Sequence, residues 1–84
     1  MFRTEQDRIY MEDDRGAVLA EITFPETAPG VFTIDHTFVD GSLRGQGIAS
    51  KLVKAAVDEI RRRGGTVQAT CSYAVRWLSE RDGA

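Results

Sequence analysis

The interval between apolar residues changes once along this chain, and that change limits the fold more than any other feature. Between Ala17 and Phe24 the even positions Val18, Ala20, Ile22 and Phe24 share one face, with Glu21 and Thr23 on the other. Val31 to Val39 alternates again, placing Phe32, Ile34, His36 and Phe38 on one side and Thr33, Asp35 and Thr37 on the opposite side. After the turn Asp40-Gly41-Ser42 the interval lengthens, and from about Gly45 the residues Ile48, Leu52, Val53, Ala56, Val57 and Ile60 form a single stripe. A chain that passes from a two-residue to a 3.6-residue period must lay a helix on a sheet, so the pattern predicts an α+β fold.

The remaining segments complete the order. Arg8 to Met11 is a short strand, and Glu12-Asp13-Asp14-Arg15-Gly16 is a reversal that makes a hairpin with the next strand. Pro25 to Gly30 interrupts the alternation with two prolines and a glycine. Gly64 and Gly65 end the helix, and Arg61-Arg62-Arg63 is read as a solvated last turn complementing the helix dipole rather than as a phosphate site. Thr66 to Cys71 is β-prone and follows a helix, which predicts a strand parallel to the one before that helix. Ala74 to Arg81 closes the chain as a helix that can bury Val75, Trp77 and Leu78. The predicted order is βββαβα, with a mostly antiparallel sheet.

Eighty-four residues at 42% hydrophobic composition predict one domain over residues 1–84 with a single core. Eleven Lys and Arg against thirteen Asp and Glu give a net charge of −2, which argues against a nucleic-acid or anionic-membrane partner. One cysteine excludes an internal disulfide framework and a cysteine zinc site, and predicts a reducing, cytoplasmic setting with no metal. The N-terminal segment MFRTEQDRIY lacks a signal-like apolar run, and no stretch approaches the roughly 18 apolar residues of a membrane span.

Against this background Gly45 and Gly47 stand out, because glycine in a helical turn costs about 1 kcal/mol relative to alanine. A helix N-terminus presents unpaired N–H groups and partial positive charge, and glycine leaves the approach to them open for a phosphate. Arg44 adds a cation, and Ser50 and Lys51 follow one turn later. The alternative is a glycine turn that merely begins a helix, in which case Gly47→Ala should be slightly stabilising. Spacing excludes two nucleotide loops: Ser50 stands where a dinucleotide fingerprint needs its third Gly or Ala, and no Gly-Lys-Ser/Thr end of a Walker A loop is present.

The run Arg44-Gly45-Gln46-Gly47-Ile48-Ala49 matches the R/Q-x-x-G-x-G/A signature of the GNAT acetyltransferases, after a strand and opening a helix. With His36-Thr37-Phe38-Val39, the continuation Ser50-Lys51-Leu52-Val53 and Cys71-Ser72-Tyr73, the stretch from Ile34 to Leu78 resembles the short, acetyltransferase-domain-only group of that superfamily. The resemblance implies a splayed pair of parallel strands holding acetyl-CoA. It implies that Arg44, Gly45, Gln46, Gly47, Ile48, Ala49, Ser50 and Lys51 form the diphosphate site, and that Phe38 and Val39 contact the pantetheine and thioester. It also implies an N-acetyltransferase acting on an amine. Larger members carry helices on the acceptor side that this chain lacks, which suits an open site for a protein or peptide amine, or a wall completed by a dimer partner. A monomer or weak homodimer is expected.

Acetyl transfer needs an oriented thioester, donors for the oxyanion and a route for the acceptor's proton. Cys71 precedes the last helix, whose N-terminus favours a thiolate, and the resemblance adds a covalent route through a cysteine there. The bland alternative is a small core thiol packing with Val67 and Ala69. His36, the one histidine, is of the residue type that suits a general base, but its strand face is shared with Phe32, Ile34 and Phe38, which suits a structural histidine. Tyr73 is a candidate proton donor to the leaving thiolate by resemblance, at a position different from the family's usual tyrosine. Trp77 is read as core. Two other functions fit the same residues: a CoA-binding module without catalysis, and a small interaction domain without a cofactor.

Overall fold

The alternating segments form two small sheets, and a computed structural model describes residues 2–82. Strands β1 (Arg3–Thr4), β2 (Arg8–Glu12), β3 (Val18–Thr23) and β6 (His36–Val39) pair antiparallel in the order β1-β2-β3-β6. Strands β4 (Glu26–Ala28), β5 (Val31–Ile34) and β7 (Thr66–Ala69) form the second sheet, β4-β5-β7, in which β5 and β7 run parallel. Two helices follow β6: α1 (Ile48–Arg62) and, after β7, α2 (Ser72–Asp82).

The apolar periods account for the packing. Ile9, Ala20, Ile22, Phe24, Phe32 and Ile34 of the sheets meet Leu52, Val53, Ala56, Val57 and Ile60 of α1 in one core, joined by Ala74 of α2. Burying one such side chain is worth about 1.5–3 kcal/mol, whereas an exposed helix pair such as Lys54–Asp58 is worth about 1 kcal/mol or less. The stripe, not the surface ion pairs, therefore docks α1. Gly65 lets the chain turn tightly beneath it, because a β-carbon there would lie 2.8 Å from the Phe32 ring.

The segment Val31 to Val39 is not one strand. It breaks at Asp35, whose amide donates to the Thr23 carbonyl at 3.2 Å and whose carboxylate accepts the Thr23 hydroxyl. The extra residue moves the chain from one sheet to the other and reverses its faces. Phe32 and Ile34 are buried, but His36 and Phe38 point outward, and Thr37 and Val39 turn inward. His36 is consequently exposed and does not share the apolar face of Phe32 and Ile34. The parallel pairing runs from Val31↔Thr66 to Ile34↔Ala69 and then stops. Beyond it the amides of Thr70 and Cys71 both donate to the Ile34 carbonyl, at 3.0 and 3.2 Å, so the splay has its vertex at Ile34.

Three smaller departures have local causes. Within Pro25 to Gly30 the chain pairs as β4, closed by the Gly30 amide donating to the Glu26 carboxylate at 2.8 Å. Helix α2 begins at Ser72 rather than Ala74, because Cys71 already accepts its first turn from the Val75 amide at 2.9 Å. The arginine triplet is also not simply a solvated end. Arg63 donates to the Gln6 and Glu5 carbonyls at 2.6 and 3.2 Å and to Glu59 at 2.8 Å, stapling the helix end to the β1–β2 connection.

Candidate functional site

The mouth of α1 is built from a tight turn. Asp40 accepts the Ser42 amide and hydroxyl at 3.0 and 2.6 Å, which holds its carboxyl below the usual carboxylate range and fixes a single 3-10 turn at Gly41–Leu43. The chain then passes through Gly45 at φ 85° and Gly47 at φ 71° into the helix. Both angles lie in the left-handed region that glycine adopts at low cost. Nothing lies within 4 Å of where a β-carbon on either would stand, so both also face open space. At φ 71° an alanine is strained whether or not a ligand binds, and Gly47→Ala is therefore not stabilising even for a plain helix start.

Gly47 is the N-cap of α1 and supplies no side-chain hydrogen bond, and the first bond of the helix is Lys51 N–H to the Gly47 carbonyl at 3.1 Å. The amides of Ile48, Ala49 and Ser50 thus point out of the helix without an intrahelical acceptor. No acidic side chain occupies the first turn, so the positive end of the dipole is not neutralised. A cleft of about 260 Å³ opens on these groups, lined by Val39, Leu43, Arg44, Gly45, Gly47, Ile48, Ala49, Ser50 and Tyr73.

Seven of the ten residues expected at the cofactor site line this cleft: Val39, Arg44, Gly45, Gly47, Ile48, Ala49 and Ser50. Gln46 lies in the turn between them, Lys51 is exposed beyond the first turn, and Phe38 is 40% exposed on the outward face of β6. Leu43 and Tyr73 complete the lining. Tyr73 also borders a second, wider cleft of about 650 Å³ along α2, together with Ser72, Arg76, Trp77 and Glu80. Trp77 is not purely core: it is half-buried, and its indole Nε1 donates to Ser50 Oγ at 2.9 Å, joining α2 to the first turn of α1.

Cys71 is half-buried at the N-terminus of α2, with its sulfur 3.6 Å from Thr37 Oγ1 across the splay. Desolvation pushes its pKa up, but the Ala74 amide, the Thr37 hydroxyl and the amides of Tyr73 and Thr37 outweigh it and hold the thiol below its usual range. Thr37 escaped the sequence reading because the alternation placed it on the polar side of an unbroken strand. His36, one residue earlier on β6, faces away from Thr37 and from this thiol. The structure thus gathers Cys71, Tyr73 and the α1 mouth on one side of β6 and leaves His36 and Phe38 on the other.

The uncapped amides, the two glycines without obstructing neighbours and the adjacent Arg44 fit a diphosphate, which needs several N–H donors and a cation within reach of bare backbone. No helix among the described residues is long and apolar enough to cross a membrane.

Known proteins share the sequence family and the fold. Residues 8–83 match the GCN5-related N-acetyl-transferase family. A GCN5-like protein from Staphylococcus aureus has a solution structure that superposes with a TM-score of 0.80 at 35% identity, over 99% of this chain and 81% of that one. An N-acetyltransferase from Staphylococcus aureus Mu50 gives a TM-score of 0.65 at 25% identity over 89% of this chain and 50% of its own. A ribosomal-protein-alanine N-acetyltransferase from Brucella melitensis biovar Abortus 2308 gives 0.54 at 26% identity, over 74% and 48%. No curated protein matches the chain.

Proposed function

The chain belongs to the GCN5-related N-acetyltransferase family, and from that premise we propose that it uses acetyl-CoA as donor and a protein or peptide amine as acceptor. The reading takes residues 1–84 as one catalytic domain working in a reducing, cytoplasmic setting that keeps Cys71 a thiol. The observation that carries the donor assignment is the uncapped, glycine-flanked mouth of α1, opening into a cleft that Tyr73 and Val39 also line.

Bound acetyl-CoA supplies an activated acetyl thioester. The chain's own residues divide the remaining tasks. The amides of Ile48, Ala49 and Ser50, with Arg44, bind and neutralise the diphosphate. The inward face of β6 at Val39 and the divergence after Ile34 provide a path for the pantetheine arm, along which β6 carries backbone donors and acceptors not used by β7. Cys71, biased towards thiolate and held at the vertex, is the candidate nucleophile. Tyr73, next but one in the chain, is the candidate proton donor, within the same cleft as the cradle. His36 has no part in this reading, because it faces the opposite side of β6.

Acceptor choice rests on the open surroundings of the site. The wider cleft along α2 shares Tyr73 with the cleft at the α1 mouth and is bordered by exposed Arg76 and Glu80. Such a surface accommodates a chain end rather than enclosing a small molecule, and the Brucella relative's name, a ribosomal-protein-alanine N-acetyltransferase, is in keeping with it.

Titration calorimetry with acetyl-CoA, followed by release of free CoA thiol in the presence of lysine peptides, N-terminal peptides or polyamines, tests both halves. Saturable heat and peptide-dependent thiol release are expected. The absence of both heat and a thermal shift at millimolar acetyl-CoA would overturn the donor assignment. Turnover with polyamines alone would overturn the acceptor class.

A further inference from the structure

We propose that Trp77 is a positioning residue that aims the Ser50 hydroxyl at the bound diphosphate, an assignment resting on the acetyl-CoA reading above. The argument begins with donor chemistry. An indole Nε1–H can only donate, so at 2.9 Å from Ser50 Oγ it obliges that oxygen to accept. The single hydroxyl proton of Ser50 is then directed elsewhere.

In a helix interior that proton would return to the carbonyl four residues back. For Ser50 the residue four back is Gln46, which lies in the turn before the helix. Among the described residues the Ser50 hydroxyl makes no hydrogen bond other than the one it accepts from Trp77. Ser50 is also the third residue of α1, so its backbone amide belongs to the uncapped set. It lines the cleft. One residue therefore presents two donors, N–H and O–H, to the place where the anion is expected, and the direction of the second is set from α2.

The same bond does a second job. Trp77 lies four residues after Tyr73, so both stand on one face of α2, and both border the wider cleft. Fixing Trp77 to the first turn of α1 holds that face of α2 as the second wall of the cradle. Trp77 thus acts through Ser50 and through wall placement, without touching reacting atoms.

CoA itself is the probe, titrated calorimetrically into wild type, Ser50→Ala, Ser50→Thr, Trp77→Phe and the Ser50→Ala/Trp77→Phe double variant, each checked for native melting. Losing a hydrogen bond to a charged group should weaken binding about tenfold for Ser50→Ala, with Ser50→Thr close to wild type. Trp77→Phe keeps the ring and loses the N–H, and should weaken binding about threefold in the wild-type background and not at all beyond Ser50→Ala. Equal affinity of wild type and Ser50→Ala, or a double variant whose loss is the product of the two singles, overturns the assignment while leaving the donor reading intact. Wild type that does not bind CoA removes the donor reading and this assignment together. Ser50→Ala against Ser50→Thr decides the hydroxyl's role even if Trp77→Phe melts below the assay temperature.

Discussion

The Cys71 sulfur lies 3.6 Å from Thr37 Oγ1, across the point where the two sheets part. A hydroxyl so placed donates to a thiolate and has less to offer a thiol, so it stabilises the charged form together with the α2 amides.

Thr37→Val should therefore raise the pH midpoint of Cys71 alkylation by iodoacetamide, and Thr37→Ser should bring it back towards wild type. Since Cys71 is the chain's one cysteine, the whole alkylation signal belongs to it. A midpoint unchanged in Thr37→Val would show that the helix amides act without the hydroxyl. The nucleophile assignment has its own check. Cys71→Ala should abolish acetyl transfer, and wild type mixed with acetyl-CoA should gain an acetyl group on the peptide containing Cys71. Unchanged turnover with an unmodified peptide removes Cys71 from the chemistry.

Gly47→Ala places a β-carbon on a residue at φ 71°, which costs about 1 kcal/mol. For a domain of this size that lowers the melting temperature by about 4–8 °C. Asparagine tolerates the left-handed region better than alanine, so Gly47→Asn should lose less than half as much. Thermal melts of the two variants, followed by far-UV circular dichroism, check the order.

Gly65→Ala meets a different obstacle. Its new methyl would stand 2.8 Å from Cδ1 and Cε1 of Phe32 and 3.1 Å from Cγ2 of Ile60, inside a core that cannot easily yield. A loss of about 1–3 kcal/mol in urea denaturation is expected, typical of overpacking. In a Phe32→Leu background the same substitution should cost less, because the smaller side chain vacates the position.

Glu59 is held at a pKa of about 2 by hydrogen bonds first from Arg62 and then from Arg63, against an ordinary value of 4.5. A depressed folded pKa means that its stabilisation is complete above the ordinary value and is lost as pH falls through about 2. Stability measured between pH 4.5 and 2 should fall more steeply for wild type than for Glu59→Gln. Parallel slopes would show that the arginines do not favour the ionised carboxyl in the folded chain.

The sheet faces of β3, the α1 stripe, the parallel return of β7 and the glycine turn that opens α1 were all legible in the sequence, because each is written in a local period or a local spacing. Asp35 was not. Its alternation with Ile34 and His36 is formally unbroken, and only the pairing of Thr23 with Asp35, twelve residues apart, shows that the strand changes sheets there. That one break reverses the faces that the alternation predicts: the Thr37 side chain turns inward, and those of His36 and Phe38 turn out. The Trp77 bond to Ser50 was hidden for a related reason, since it joins two helices through a contact of 27 residues' separation that no periodicity records. Strands β1 and β4, of two and three residues, are too short to carry an alternating pattern.

The insertion at Asp35 works like a phase shifter in a two-stroke rhythm. Excising that residue would join Ile34 directly to His36 in a regular alternation, leaving Thr37 inward and Phe38 outward but removing the step by which the chain leaves the β5 sheet for the β6 sheet. A grafted or shortened version of this scaffold that preserves every glycine of the α1 entrance yet loses this one offbeat position would keep its side-chain faces and draw together the two sheets that part there.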